Sequence, residues 1–324
     1  MNILYTFNNK FIPQVMASVT SVLENNKEVE NICFYLMELD VEISEQNKIV
    51  EYIKKYGRKI HFIHLKKMND YFKFDFKTTG WNPVILARLL IDKLLPDDVD
   101  RILYLDGDTI VRGSLKELYN LDLENNIIAA GNEPTVDRKR KQLLGLDGYP
   151  YFNSGVLLID LNKWKKENVG EGIMEYYKNN LDKITAPDQD AINGFLRGKI
   201  YPLSPKYNYF NIYDQYPYSF ICKLCDYKYY DKNTYYNDKK NPLIIHYLGE
   251  ERPWRIGNTH RFKNDYDKYL NMSLWANQNY EKGWKVYFIA WNVFNTITKP
   301  FPSLRYSIIN SLIPFVLKHR SNNK

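Results

Sequence analysis

Apolar and polar positions from Asn2 to Leu65 fall into a repeating order of short apolar runs and helical spacings. Asn2 to Phe7 reads as an opening strand that runs into the polar loop Asn8-Asn9-Lys10-Phe11, and apolar residues from Met16 to Leu23 then recur at helical spacing. Ile32 to Leu39 reads as a second strand, and Ser44 to Tyr56 as a helix with Ser44 placed to cap it and Gly57 beyond its end. Ile60 to Leu65 alternates as a third strand. This β-α-β order predicts an α/β fold with a largely parallel central sheet between two layers of helices. Ligands of such sheets gather at the carboxyl ends of strands, so the loop after the first strand is a candidate nucleotide site.

The pattern continues with Val84 to Leu95, an apolar helix that stops at Pro96 and carries one charge, Arg88. Arginine is rarely buried alone, so Arg88 either pairs with a core carboxylate or reaches a carboxylate or phosphate in a site. Arg101 to Leu105 reads as a buried strand that ends in Asp106-Gly107-Asp108. Ser114 to Tyr119 reads as a short helix, and Ile127 to Ala130 as a strand leading into Asn132-Glu133-Pro134. Tyr151-Phe152-Asn153-Ser154-Gly155 opens another buried strand that runs to Asp160, with the next helix starting at Leu161. Ala186-Pro187-Asp188-Gln189-Asp190 starts a helix, and Leu243 to Leu248 is a short strand interrupted by His246 and followed by Gly249-Glu250-Glu251-Arg252-Pro253-Trp254.

Side chains at i and i+2 of an extended segment project to one side, so Asp106 and Asp108 can converge on one cation, and Gly107 lets a diphosphate approach the backbone. Hard divalent ions bound by few carboxylates complete their shell with substrate phosphates. Asp-Gly-Asp after an apolar run is also ordinary turn chemistry. Two readings likewise stand for Asp188-Gln189-Asp190, which can cap the helix or grip sugar hydroxyls. His246 can be a satisfied core residue or a metal ligand.

The chain has 324 residues, enough for one large α/β domain with or without an appendage, and its 44% hydrophobic and 15% aromatic content excludes a disordered chain. Its 28 tyrosines provide surfaces with an apolar body and a polar tip, which suit sugars. Of the net charge of +7, the segment from Glu281 onward carries +6 through Lys282, Lys285, Lys299, Arg305, Lys318, Arg320 and Lys324, which leaves the body near neutral. A nucleic-acid binder would show a basic stripe on the folded body, so no nucleic-acid partner is expected. Cys33, Cys222 and Cys225 make no disulfide framework, and Cys222-x-x-Cys225 lacks a second ligand pair for zinc. With no signal-peptide pattern at Met1 to Phe7, the expected location is the cytoplasm.

In the basic C-terminal segment, Trp284, Tyr287, Phe288, Trp291 and Phe294 form an aromatic stripe on a helix that ends before Pro300. Ser307 to Leu317 is a second apolar stretch interrupted by Pro314. Both are shorter than the roughly 20 apolar residues a membrane span needs. Two fates are open to them. They can lie on an anionic membrane surface, at the inner face of the cell membrane, or pack on the body or another subunit.

Four stretches in this order resemble glycosyltransferase family 8, the retaining GT-A enzymes that include bacterial lipooligosaccharide galactosyltransferases and glycogenin. They are Leu103-Tyr104-Leu105-Asp106-Gly107-Asp108, Phe152 to Ile159, Asp188-Gln189-Asp190 and His246-Tyr247-Leu248-Gly249-x-x-Arg252-Pro253-Trp254. The resemblance covers roughly residues 1 to 260 and implies a GT-A catalytic domain over 1–262, with a helical basic and aromatic tail over 263–324. It implies that Asp106, Asp108 and His246 hold Mn2+, or Mg2+ in its place, on the diphosphate of a UDP-sugar. Thr6, Phe7, Asn8 and Phe11 then belong to the uridine site, with Phe11 stacked on uracil. Gly107, Gly249, Arg252 and Arg88 surround the diphosphate and sugar, and Asn132, Glu133 and Ser154 complete the substrate-binding set. Asn153, Asp188 and Gln189 surround the donor sugar, with Gln189 nearest the reacting centre and Asp188 and Asp190 the alternative nucleophiles should a covalent intermediate form. The implied reaction moves a hexose, galactose before glucose, to a hydroxyl of a glycan, glycolipid or glycoprotein.

The sequence departs from the family pattern at Asn8, where an acidic residue is common, at Arg252, where lysine is common, and around Gly80-Trp81-Asn82-Pro83, where acceptors are often contacted. A nucleotidyltransferase is the rival enzyme, but no Gly-rich phosphate loop follows the first strand. A non-catalytic glycan or UDP-sugar binding module would use the aromatics and leave the carboxylates idle.

Overall fold

The computed structural model of the chain describes residues 1–72, 74–76, 78 and 80–322. Nine strands are found among the described residues: β1 Asn2–Asn8, β2 Cys33–Leu39, β3 Lys59–His64, β4 Arg101–Leu105, β5 Thr109–Val111, β6 Ile128–Asn132, β7 Phe152–Asp160, β8 Ile200–Leu203 and β9 Ile244–His246. Seven form the central sheet in the order β3-β2-β1-β4-β7-β6-β8, and β5 and β9 pair in a small sheet of their own. The pairings β3-β2, β2-β1, β1-β4 and β6-β8 are parallel, while β7 runs antiparallel to both neighbours. The largely parallel α/β sheet expected from the pattern is therefore present, with one reversed strand inside it.

The strands at its centre are buried on both faces, which is why they read as near-continuous apolar runs. Ile3, Tyr5 and Phe7 of β1 and Leu103 and Leu105 of β4 face one core. In that core lie Val15, Met16, Val19 and Val22 of α1 (Ile12–Asn25). Leu4, Ile102 and Tyr104 face the other core, under Leu86, Leu89 and Leu90. Each such fully buried side chain contributes about 1.5–3 kcal/mol. Helix α2 (Ile43–Lys55) carries Ile49, Tyr52 and Ile53 to the first core.

Two local expectations are corrected. The segment expected as an α-helix from Val84 is wound as a 3-10 helix over Pro83–Leu90, with α geometry only at Ile91–Leu94. Asn82 Oδ1 accepts from the Val84 N–H, and the Arg88 side chain takes the Ile85 carbonyl at 3.2 Å. These contacts hold the tighter winding that brings Arg88 beneath the sheet edge. Helix α2 begins at Ile43 after an extended Glu42 that makes no side-chain cap, so Ser44 lies inside the first turn instead of capping it.

Further along, α3 spans Arg138–Leu143, α4 Pro187–Phe195 and α5 Lys263–Met272. Tyr266, Tyr269 and Leu270 of α5 enter the first core, and Asn25 at the end of α1 donates to the Tyr269 hydroxyl at 2.7 Å. The last helices are α6, Lys285–Thr298, and α7, Pro302–Asn322. Helix α7 continues through Pro314, where an interruption was expected. A single proline removes one backbone hydrogen bond, and neighbouring turns carry the helix across it.

The aromatic stripe of α6 turns toward the body. Phe288 is buried, Trp291 Nε1 donates to Glu251 Oε1 at 2.6 Å, and the Arg255 guanidinium lies 3.5 Å from the centre of the Trp284 ring. The exposed face is aliphatic instead: Val286, Ile289, Val293 and Ile297. Arg305, counted among the basic residues of this segment, is 1% exposed and sits beside Tyr216, Trp291 and Phe294, so it offers no charge to a surface. Lys324 and the Lys318 and Arg320 side chains lie outside the described residues. Among the described residues no helix is long and apolar enough to cross a membrane. Cys33, Cys222 and Cys225 are unpaired.

Candidate active site

Parallel pairing of β1 with β4 brings the loop Asn8 to Phe11 and the Asp106-Gly107-Asp108 turn to one edge of the sheet. The chain then enters β5, whose Thr109 lies directly opposite His246 of β9. That register delivers an imidazole from late in the chain to the two carboxylates. His246 Nε2 lies 3.4 Å from Asp108 Oδ1 and 3.8 Å from Asp106 Oδ2, and one ligand atom from each residue falls within 4.8 Å of the others. Antiparallel β7 closes the site from the far side, where the Gly155 carbonyl accepts from the Asp106 N–H at 2.8 Å. A β-carbon on Gly155 would stand 2.2 Å from His246 Cε1 and 2.9 Å from Asp106 Oδ2, so no other residue leaves these ligands in place.

The donor set suits a divalent ion that accepts both oxygen and imidazole nitrogen, such as Mn2+, and its open side faces the loops. Behind it, the Nδ1 of His246 is 3.0 Å from Asn208 Oδ1. That contact puts the proton on Nδ1 and leaves the Nε2 lone pair toward the carboxylates. Asn208 is fully buried, and its Nδ2 donates to Asn153 Oδ1 at 3.0 Å. Replacing Asn208 by leucine is expected to weaken Mn2+ binding by about 10–100-fold, the usual consequence of losing such an outer partner. Calorimetric titration would detect it, and unchanged affinity would remove Asn208 from the site.

Burial alone would lower the His246 pKa, but the hydrogen bond to Asp108 and the charges of Asp108 and Asp106 raise it above 6.5. Burial would raise the Asp108 carboxyl, yet His246 and Arg252 hold it below the ordinary range. In the metal-free protein the His246 contribution to stability is full below pH 6.5 and lost as pH rises through the raised value. A metal requires the neutral ring, so metal affinity falls as pH drops through that same value. Mn2+ titrations between about pH 5 and 8 should show this loss centred above 6.5, and a flat profile would contradict it.

Beside the triad lies a continuous polar network. Arg88, 4% exposed, reaches Asp106 Oδ1 at 2.7 Å, Asp188 Oδ2 at 3.1 Å and the Ser154 carbonyl at 2.9 Å, and its guanidinium lies 4.2 Å from the Tyr104 ring centre. Both readings of Arg88 meet here, because the core carboxylates it pairs with belong to the site. Ser154 Oγ donates to Asp188 Oδ2 at 2.9 Å. Gln189 Oε1 accepts from the Ser154 N–H at 3.0 Å and from Asn153 Nδ2 at 3.1 Å, while Gln189 Nε2 donates to Glu133 Oε2 at 3.1 Å and to the Tyr151 hydroxyl at 3.2 Å. Burial raises the Glu133 carboxyl above its ordinary value, against the hydrogen bonds from Asn153 and Gln189.

Asp188, Gln189, Asn153, Ser154, Glu133, Arg88, Asp106, Asp108 and His246 thus come together. Asp190 does not join them. It is fully buried and accepts from the Thr185 and Ala186 N–H groups, Arg140 and the Tyr151 hydroxyl, which makes it the anchor of the α4 N-terminus. The capping reading of the Asp-Gln-Asp row is therefore seen in Asp190, while Asp188 and Gln189 belong to the polar network. Asn132 also leaves the set. It precedes Glu133 at the end of β6, and its Oδ1 accepts from the Tyr227 hydroxyl in a separate cavity beside Tyr229 and Tyr230. Phe7 is buried in the first core and can offer a ligand only its backbone. Thr6 is buried as well, its hydroxyl 3.0 Å from that of Tyr104, which donates to Asp106 Oδ1 at 2.5 Å.

Asn8 and Phe11 sit at the edge of the site, with Phe11 edge-on to Trp254 at 5.7 Å. Gly107 serves packing more than ligand approach, because a β-carbon there would stand 2.5 Å from Val15 Cγ2. Gly249 adopts a positive φ of 78° in the turn after β9. The residues missed by sequence reasoning are Gly155, Asn208, Tyr104 and Tyr151. The glycine inside the polar opening of β7 was the one available signal.

A cleft of about 630 Å3 opens over Gln189, Glu133 and Tyr151, and Trp81 of the divergent Gly80 to Pro83 stretch lines it. A family model described as Glycosyl transferase family 8 matches residues 2–256. The lipopolysaccharide 1,2-glucosyltransferase of Escherichia coli (strain K12) is 28% identical over 265 residues, covering 78% of this chain and 72% of that protein. The lipopolysaccharide 1,3-galactosyltransferase of Salmonella typhimurium is 28% identical over 262 residues, again covering 78% and 72%. Among solved structures, the galactosyltransferase LgtC in complex with donor and acceptor sugar analogues matches with a TM-score of 0.71 at 23% identity, over 85% of this chain and 96% of that one. This last likeness is one of fold.

Proposed function

Because the chain belongs to glycosyltransferase family 8, we propose that it is a retaining enzyme that moves a hexose from a UDP-sugar to a hydroxyl of a glycan-bearing acceptor in surface glycan synthesis. The observation that carries this reading is the adjacency of the Asp106, Asp108 and His246 cluster to the Asn153, Asp188 and Gln189 network. A diphosphate binder and a sugar binder share one edge of the sheet. Mn2+, or Mg2+ in its place, would be held by Asp106, Asp108 and His246, and when bound it acts as a Lewis acid toward the departing diphosphate. Arg88 and Arg252 add fixed positive charge around the same groups, in a form that suits phosphate and carboxylate oxygens.

At the sugar, retention by double displacement needs a free carboxylate beside the anomeric carbon. Asp190 is taken up by backbone and Arg140, Asp188 by Arg88 and the Ser154 hydroxyl, Glu133 by Asn153 and Gln189, and the group at the centre of the network is the amide of Gln189. We therefore favour attack of the acceptor hydroxyl on the face the UDP leaves, with the leaving oxygen taking the proton. Galactose is favoured and glucose is next; the two lipopolysaccharide relatives divide between these sugars. The acceptor is a glycan, glycolipid or glycoprotein, and nucleic acid has no place in the reading. The aliphatic ridge of α6, flanked by Lys282, Lys285 and Lys299, supports a cytoplasmic protein held peripherally at an anionic membrane.

UDP release from UDP-galactose, UDP-glucose and UDP-N-acetylglucosamine, with Mn2+ and with EDTA, tests the reaction. Release from one donor that needs the metal is expected. No release and no UDP binding under any condition would overturn the proposal.

A further inference from the structure

The cleft over Gln189 has two chemically different ends. Its floor presents Glu133, Tyr151 and Gln189, which can meet sugar hydroxyls. Its mouth is walled by Leu143 of α3 and by Tyr306, Ile309 and Ile313 of α7, with Asn310 as the amide among them. Leu143 is 52% exposed and Ile313 45%, so branched aliphatic groups line an open channel half in water. They give a hydroxyl nothing to bond to, and covering them by an apolar chain is favourable. Polar groups also line the cleft, with Asp137, Lys139 and Arg140 beside Leu143 and Asn310 beside Ile309, so the apolar strip is Leu143, Ile309, Ile313 and the Tyr306 ring. The same helix also exposes Leu304, Leu312 and Phe315 outside the cleft.

We infer that α7 is the acceptor-side wall of the catalytic cleft and that the acceptor is a saccharide on a lipid or alkyl carrier. The sugar end lies at Gln189 and Glu133, and the apolar end runs along Tyr306, Ile309 and Ile313. This rests on the glycosyl-transfer reading and narrows its acceptor from three chemical classes to one. Helix α7 is held in place for the role from within the body, since Tyr306 packs edge-on to Phe220 at 5.9 Å and Arg305 donates to Asn295 and Thr298 of α6.

The test uses the full chain. Mn2+ with UDP is titrated first, and its failure to bind counts against the transferase reading, not against the wall. Methyl and octyl β-glucosides and β-galactosides, below micellar concentration, are then titrated calorimetrically. An octyl glycoside should bind about tenfold tighter than its methyl counterpart, or more, since each covered methylene adds to affinity. Ile309→Asn, and independently Leu143→Asn at an exposed site, should reduce that ratio toward one. Ile289→Asn on the exposed ridge of α6 should leave it unchanged. Equal binding of methyl and octyl glycosides, a preference that survives both cleft variants, or a preference lost equally in Ile289→Asn would each overturn the inference.

Discussion

Asp108→Ala lowers metal-dependent UDP release by about 10³-fold or more in kcat/KM while the protein stays folded. The size follows from the role proposed for the carboxylate: it is one of three candidate ligand groups, and removing it would take away several kcal/mol of charge stabilisation at the leaving diphosphate. The fold is spared because Asp108 sits in the turn between β4 and β5 and buries no apolar side chain, while His246 keeps its hydrogen bond to Asn208. In the metal-free variant His246 loses the hydrogen bond and charge of Asp108 that help raise its pKa against burial, so its titration should move down. Steady-state UDP release with Mn2+ and with EDTA, set beside a thermal melt of the metal-free protein, separates the two effects. Wild-type turnover in the variant would return Asp106-Gly107-Asp108 to the status of a turn.

Arg88→Leu has the other large effect, this time on stability as well as turnover. Two carboxylates, Asp106 and Asp188, face the Arg88 guanidinium from strand and helix, and burial that would lower its pKa is outweighed by their charges. Leucine leaves both carboxylates without their counter-charge near a low-dielectric core, a loss of about 3–5 kcal/mol. For a domain of this size that corresponds to a fall in Tm on the order of 5–10 °C. Neutralising one of the two carboxylates as well, in Arg88→Leu with Asp188→Asn, should restore part of the melting temperature and none of the activity. If the single variant melts with wild type, the pairing does not stabilise the fold.

The sheet was legible because its strands are short apolar runs at regular intervals, and the Asp106 and Asp108 pair because i and i+2 carboxylates followed a buried strand, while the resemblance added His246 to the cluster. What stayed hidden depends on partners distant in sequence. Strand β5 is three residues long and exists only through β9. Asn208 carries no local pattern, and its role appears once the neighbouring Tyr209 donates its N–H to the Ile244 carbonyl and accepts from the His246 N–H. Adjacent Asn132 and Glu133 look alike as polar residues after a strand, yet only Glu133 turns into the cleft. The aromatic stripe of α6 was read with the correct period, but period does not say which side faces the body. Glu251 and Arg255, themselves in a loop, decide that. The 3-10 winding at Pro83 to Leu90 follows from Asn82 and Arg88 bonding to local backbone, which apolar spacing does not register.

The small β5-β9 sheet also sets an order of events during synthesis. Every strand of the seven-stranded sheet has been synthesised once the ribosome passes Leu203, whereas the imidazole comes only with β9. A prematurely terminated chain can therefore carry all seven strands and both aspartates and still lack His246, together with the Tyr247, Trp254 and Tyr266 side chains of the first core. On the proposed reaction such fragments would hold the divalent ion poorly, so the gain of activity would wait on nearly the whole catalytic body having been made.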